Sequence, residues 1–445
     1  MTISRMDPAA NSEFGVARDE IRQRQLLPKA LLVGAAAGLL AAFFRLGLAW
    51  SEGWRAGRVG GGHSWRGLAA AAAIGAATGA VALWTVKRFA PEASGSGIPF
   101  IKRVVLGETK LNWRRILPVK FCAGVLGIGG GLALGREGPT IQMGGATAQM
   151  VCDMLGVAEG QEERKVLISA GAGAGLAAAF NAPLAGMVFV LEELHGRFSR
   201  SIFVASFLAC VAADIVARLL AGATPVFAIK GVAAPGLEAL PAAAIEGVLA
   251  GFVGVAFNIS LLASLEFFGR RDRLSPLGKG AAIGFFCGVA GWVVPGLAGS
   301  GGGLVTQALV GQVAFGWLPL LMLVRLGMTV GAYGCGSAGG IFLPMFVIGA
   351  LGGLSFGGLA HQISPSWFSR PEVFVILGMG GIFAAIVRAP LTGLVLMIEL
   401  TGTYDFMLPL LVCSFAAYGV AEALGCPPIY EALRQRQTAR QSRSS

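Results

Sequence analysis

Apolar stretches long enough to cross a membrane recur along the whole chain, at 29–50, 67–90, 202–220, 243–268, 279–298, 317–333 and 405–424. Within hydrocarbon every backbone N–H and C=O must find its partner inside the protein, so only helical bundles and closed barrels are open to such a chain. Stretches of roughly twenty apolar residues select helices. Hydrophobic residues make up 55% of the sequence and charged residues 13%. Since the apolar segments run from end to end, a soluble domain with one anchor is excluded. Glycine accounts for 68 of 445 residues without a Gly-X-Y period, which excludes collagen. In a bundle, small residues let helices approach closely and allow irregular backbone where protein covers it.

The remaining charge reads as topology. Residues 1–28 are polar, with no apolar core before a small-residue cleavage site, and an amphipathic helix is expected around Phe14–Leu27. The tail after Tyr430 carries Arg434, Arg436, Arg440 and Arg443, with Glu431 as its acid. The 100–115 connection carries Lys102, Arg103, Lys110, Arg114 and Arg115. The positive-inside rule places these segments in the cytoplasm. The net charge of +11 therefore does not imply nucleic acid, because the bases flank spans and lack interleaved aromatics. The seven cysteines form no C-x-x-C pair and read as small buried hydrophobes. His63, His195 and His361 are scattered, so no metal-ligand cluster is expected.

The two halves match in order. Gly95-Ser96-Gly97 pairs with Gly299-Ser300-Gly301, and the G-x-x-x-P of Gly135 to Pro139 with that of Gly340 to Pro344. The longest match sets 171–192 against 378–399, including Gly171/Gly378, Ala182/Ala389, Pro183/Pro390 and Glu192/Glu399. The implied organisation is a cytoplasmic segment 1–28, a first transmembrane repeat 29–220, a second repeat 221–434 and a cytoplasmic basic tail 435–445. Paired halves suggest a transporter built from repeats. The Gly/Pro interruptions split spans into short helices, and Ala182-Pro183 and Ala389-Pro390 each open a new one.

Gly135-Arg136-Glu137-Gly138-Pro139 sets a carboxylate and a guanidinium at membrane depth. Ionisable groups there cost several kcal/mol and mark function by default. Helix starts expose amides suited to an anion. Glu137 at such a start suggests a gate that competes with the anion.

At these residues the chain resembles the CLC family of chloride channels and chloride/proton antiporters. The family's signatures stand in order as Gly95-Ser96-Gly97-Ile98-Pro99, Gly135-Arg136-Glu137-Gly138-Pro139 and Gly339-Gly340-Ile341-Phe342-Leu343-Pro344. A tyrosine follows in Pro427-Pro428-Ile429-Tyr430, and the resemblance covers about residues 28–434. It implies an all-α polytopic membrane protein of about eighteen tilted and broken helices in two inverted repeats, assembled as a homodimer in lipid.

The implied activity is secondary active exchange of chloride for protons in the cell inner membrane; a passive chloride channel of the same fold is the alternative. No cofactor is implied, and the reading is not that of an enzyme. By this resemblance Ser96 and Tyr430 offer hydroxyls to chloride, and the N–H groups of Ile341 and Phe342 complete the site. Glu137 is the outer gate, and Glu193 the inner proton-transfer acid. Ser96 argues against the fluoride-exporting branch. The chain departs from bacterial members in Phe100-Ile101-Lys102, where acids are frequent, and in Gly336-Ser337-Ala338.

Plainer readings stand beside these. Ser96 as a helix cap, Glu137 paired with Arg136, and Tyr430 as an interfacial anchor are the structural alternatives. Glu192 is either a helper for proton access or structural, since Glu399 matches it; Glu193 is matched by Leu400, so it is the acid unique to one half. Lys120 either lends positive potential or snorkels to the surface. Arg388 is structural or electrostatic. The outer faces of 181–220 and 389–424, with Ile202 and Leu410 among them, are expected to meet a partner or lipid.

Overall fold

The structure is a computed structural model that describes residues 8–60, 64–223, 226–227, 236–270, 275–365 and 370–441, with side chains from 25 to 439. His63 and Arg443 lie outside the described residues, as does the side chain of Arg440. Among the described residues there are seventeen α-helices and no strand.

The order of helices repeats. The first eight are α1 (Pro8–Val59), α2 (Trp65–Phe89), α3 (Ile98–Val105), α4 (Trp113–Gly129), α5 (Glu137–Met154), α6 (Glu162–Phe180), α7 (Pro183–Phe189) and α8 (Arg200–Ala221). The next eight are α9 (Leu240–Arg270), α10 (Pro276–Val293), α11 (Gly302–Leu309), α12 (Leu318–Gly334), α13 (Phe342–Ile363), α14 (Val373–Val387), α15 (Pro390–Thr401) and α16 (Met407–Ala423). A last helix, α17 (Ile429–Gln441), follows. The expected amphipathic segment near Phe14 is part of the unbroken α1.

Six of the seven expected spans coincide with helices long and apolar enough to cross a membrane. The 405–424 stretch forms only the 17-residue α16, and the seventh full-length span is α13. α10 stops at Val293, short of the expected 298, because Val294 turns extended ahead of Pro295.

Local chemistry ends and restarts the broken helices at matched places. α6 and α14 both close on a residue in the left-handed region, Asn181 (φ 55°) and Arg388 (φ 65°). Proline then occupies the first turn of α7 and α15, where its missing N–H is no loss. Arg388 anchors its corner by donating to the Cys426 carbonyl at 2.8 Å and pairing with Glu422.

The halves lock together by exchange. Glu192 accepts from the N–H groups of Leu391 (3.2 Å) and Thr392 (2.7 Å) at the start of α15. Glu399 accepts from those of Leu184 (3.1 Å) and Ala185 (2.7 Å) at the start of α7. Each acid caps the other half's broken helix, as a pseudo-two-fold axis requires. The α2–α10 contact is equally symmetric: a Cβ on Gly75 would strike the Gly284 carbonyl, and one on Gly284 the Gly75 carbonyl. Only glycine lets these two backbones touch.

Two sequence expectations are corrected here. Ile202 and Leu410 are 6% and 1% exposed and face the protein interior, Leu410 lying against Gly380. The outward side chains of those regions include Ile215, Leu391 and Phe415. Of the cysteines, six are buried, and Cys122 is exposed.

Candidate functional site

Three helix starts meet at one buried place. The loop before α5 pairs with the loop before α13: Gly135 N–H donates to Gly340 O (2.8 Å), and Gly340 N–H to Gly135 O (2.7 Å). The loop before α3 joins the same strip: Gly95 N–H donates to Ser337 O (2.9 Å), and Gly339 N–H to Gly95 O (3.2 Å). Gly97 has φ 81° and packs so tightly on Gln142 that no side chain fits there. Gly138 lies against Ser96, bringing the first turn of α5 onto the serine.

Ser96, Glu137, Ile341, Phe342 and Tyr430 are all 0% exposed. Ile341 caps α13 and Phe342 opens it, so their amides fall where a helix supplies no acceptor of its own. Glu137 occupies that helix end. Its Oε2 accepts a 3.4 Å hydrogen bond from Leu343 N–H, while Oε1 has no hydrogen-bond partner among the described residues. The Arg136 Nε lies 3.9 Å from Oε1, an ion pair without a hydrogen bond, and its Nη2 donates to the Ala179 carbonyl at 3.2 Å. A carboxylate held by one long bond is easily released. The Tyr430 ring stacks on Phe342 at 6.0 Å, and its hydroxyl has no hydrogen-bond partner among the described residues.

Two buried cations hold the loops in matched fashion. Lys120 is wholly buried, so it does not snorkel; its Nζ donates to the carbonyls of Ala93 (2.8 Å) and Gly95 (2.6 Å). Arg325 on α12, also wholly buried, donates to Gly299 O (3.0 Å) and Ser300 O (2.7 Å) in the second half's Gly-Ser-Gly loop. The sequence reading missed Arg325, although it stands at the position matching Lys120 in the repeat. It also missed Tyr333, whose hydroxyl lies 3.5 Å from both the Ser96 hydroxyl and its N–H. Tyr333 and Gly95 line a cavity of about 420 Å³, together with Lys87, Arg103, Arg436 and Glu92. Three bases against one acid make it attractive to anions.

Glu193 sits apart from this strip, in a π-helical turn at Val190–His195. Such turns insert a residue and re-aim side chains, often at functional places. Glu192 and Glu193 point apart in consequence. Glu192 is committed to capping α15, also accepting from the Thr392 hydroxyl at 2.7 Å, which favours the structural of its two readings. Glu193 is 7% exposed and pairs with Lys102 Nζ at 3.0 Å. The same ammonium lies 3.5 Å from Glu431, which pairs with Arg434 at 2.6 Å; Arg434 also pairs with Glu108. This chain of charges ties Glu193 to α17, the helix that carries Tyr430. His195 pairs with Ser169 (2.8 Å), while Ser96 and Ser337 have Tyr333 and Cys335 as their side-chain neighbours. Among the described residues no group of three or more His, Cys, Asp or Glu could hold a metal ion.

A bundle of membrane spans that starts three helices at one buried point, with a carboxylate on an amide of one of them, is built as a membrane transport protein. The chain belongs to the voltage gated chloride channel family, whose pattern matches residues 78–422. It is 42% identical over 361 residues to the H(+)/Cl(-) exchange transporter ClcA of Vibrio cholerae serotype O1 (strain M66-2), covering 80% of this chain and 77% of the relative. It is 36% identical over 440 residues to ClcA of Salmonella typhimurium (strain LT2), covering 95% and 93% of the two chains. Its structure resembles that of a slow cyanobacterial Cl-/H+ antiporter, with a TM-score of 0.88, 38% identity, and 94% and 99% of the two chains covered. The fold is accordingly the family's, with two inverted repeats of broken helices.

The charge chain at α17 has a measurable pH signature. The Arg434 hydrogen bonds hold the Glu431 carboxyl down at about 2. A lowered carboxyl stabilises the fold above its ordinary value of about 4.3, and that gain is lost as pH falls toward 2. Glu431→Gln should lower the unfolding midpoint at about pH 6, by less than roughly 1 kcal/mol because the pair is solvent-screened. The gap between variant and wild type should close between about pH 4.5 and 2. A gap that persists at the acid end in thermal melts would contradict the pairing.

Proposed function

We propose that this protein exchanges chloride for protons across the cell inner membrane, with Glu137 as the gate. The observation that carries this reading is the Glu137 carboxylate bonded to the amino end of α13, in the place an anion would take. The relatives' printed activity, H(+)/Cl(-) exchange, agrees with it.

Chloride approaches from the basic cavity beside Tyr333 and passes to the hydroxyls of Ser96 and Tyr430. The amides of Ile341 and Phe342 receive it there. Helix amino ends stabilise a dehydrated anion without supplying a full charge that would trap it. Ionised Glu137, bonded to the next amide, that of Leu343, competes for the same helix end. Once protonated it loses that attraction, leaves, and carries the proton outward. One carboxyl thus serves both ions, which couples them.

Glu193 supplies the inner proton step, and its pairing with Lys102 sets it beside the cytoplasmic segments. The Glu108–Arg434 and Lys102–Glu431 pairs put the 100–115 connection and α17 on one face. The positive-inside rule makes that face cytoplasmic. α7 meets α13 through Phe189 and Phe342, 5.9 Å apart, rings that carry no proton. Water must therefore link Glu193 to Glu137. Retention of Glu193 favours exchange over a passive channel.

The protein works as a homodimer in lipid, with a pathway in each subunit, sealed by the apolar outer faces of α7, α8, α15 and α16. Ile215, Leu391 and Phe415 are more than half exposed there, as a seal of fitted apolar side chains requires.

In proteoliposomes, Glu137→Ala should retain chloride flux and lose chloride-driven proton movement, and Glu193→Gln should lose proton movement alone. Full proton coupling in Glu137→Ala would sink the gate. A wild type that moves no protons uphill under a chloride gradient would make the protein a channel. Ser96→Ala and Tyr430→Ala together should weaken calorimetric chloride binding, each hydroxyl being worth about 1.5–3 kcal/mol toward a charged partner. Wild-type affinity in that double variant would refute both contacts. Light scattering in detergent should give the mass of two chains, and a single-chain mass at every concentration tested would remove the dimer.

A further inference from the structure

Another carboxylate is buried in the bundle, and the exchange pathway does not use it. Glu246 on α9 is 2% exposed, and neither of its oxygens has a hydrogen-bond partner among the described residues. It borders a cavity of about 260 Å³ between α9, α12, α13 and α14. The inner wall is backbone. A Cβ on Gly353 or Gly378 would come within 2.7 or 2.8 Å of Glu246 Oε1, so glycines leave the room the carboxyl occupies. The rim is Leu249, Pro319 and Leu359; both leucines are about half exposed, at 48% and 52%. α9, α12 and α13 are all of spanning length, so this apolar rim opens on lipid.

Neither form of the lone acid is at ease here. An ionised carboxylate without a partner costs several kcal/mol in such surroundings. A neutral carboxyl leaves a strong donor unused. Water does little to solve the problem: buried water needs two to four polar partners, and beside Glu246 the lining offers the side chain of Ser355, whose hydroxyl already donates to the Leu351 carbonyl at 2.7 Å. The missing partner must be apolar over most of its surface and basic at one end. At roughly 30 Å³ for a water-sized group, the cavity holds a chain of about eight such groups.

We propose that this cavity binds a lipophilic amine that enters from the bilayer in its neutral form. The carboxyl proton of Glu246 passes to the amine nitrogen, leaving a carboxylate–ammonium pair with no net charge. The alkyl part lies along Leu249, Val253, Met322 and Ile382. The pair satisfies the stranded oxygens, and the chain fills the space the glycines leave.

Octylamine and octanol, equal in length, separate this from simple apolar filling. In nanodiscs of zwitterionic lipid, octylamine should raise the unfolding midpoint of the wild type, the shift growing with the logarithm of concentration above Kd. Octanol should not. Glu246→Gln should abolish the octylamine shift. Gly352→Leu keeps the acid but fills the cavity, since a Cβ there meets only Met322 Sδ, at 3.4 Å; it should abolish the shift too, and it carries the test if Glu246→Gln does not fold. No octylamine shift in wild type, equal shifts from amine and alcohol, or a shift surviving in either folded variant would overturn the site.

Discussion

A helix that begins inside a membrane exposes amides that neither water nor its own carbonyls can satisfy. The rest of this structure follows from beginning three helices that way at one point. The Gly135–Gly340 and Gly95–Ser337 pairings take up part of the loop backbone and bring the starts together. What is left over, chiefly the first amides of α13, needs a negative charge. Glu137 supplies one from within the chain. On the proposed reading the gate is also a structural ligand, displaced by an anion that does the same work.

Holding loops rather than helices at such a point needs rigid support. Lys120 and Arg325 give it by gripping loop carbonyls from beneath. Each full charge is spread over two or more carbonyl dipoles, which repays part of the cost of burial.

Much of this was legible in the sequence because helix breaks leave local traces. Glycine runs, Ala-Pro pairs and a stranded Glu137 mark the places where backbone is irregular, and repeat matching ordered them. What was not legible is relational. Tyr333 meets Ser96 across 237 residues, and Lys102 meets Glu193 across 91. No spacing rule connects them. The facing of Ile202 and Leu410 failed for another reason. A span that is apolar on all sides has no moment to tell core from lipid, so its buried stripe is set only by packing. Lys120 and Arg325 show the middle case: the matched position carried a signal, but only for a reader who compared cations as well as identical residues.

The crossed capping by Glu192 and Glu399 has an implication for ancestry. Each half supplies the acid and receives it, which is the arrangement found where two identical chains meet about a two-fold axis. The contact would serve equally between separate polypeptides, so joining the halves into one chain demanded no new interface. Duplication then freed one copy to vary. Glu193 faces Leu400 across the repeat, and proton handling could be added on one side while the shared acid kept the two halves fastened.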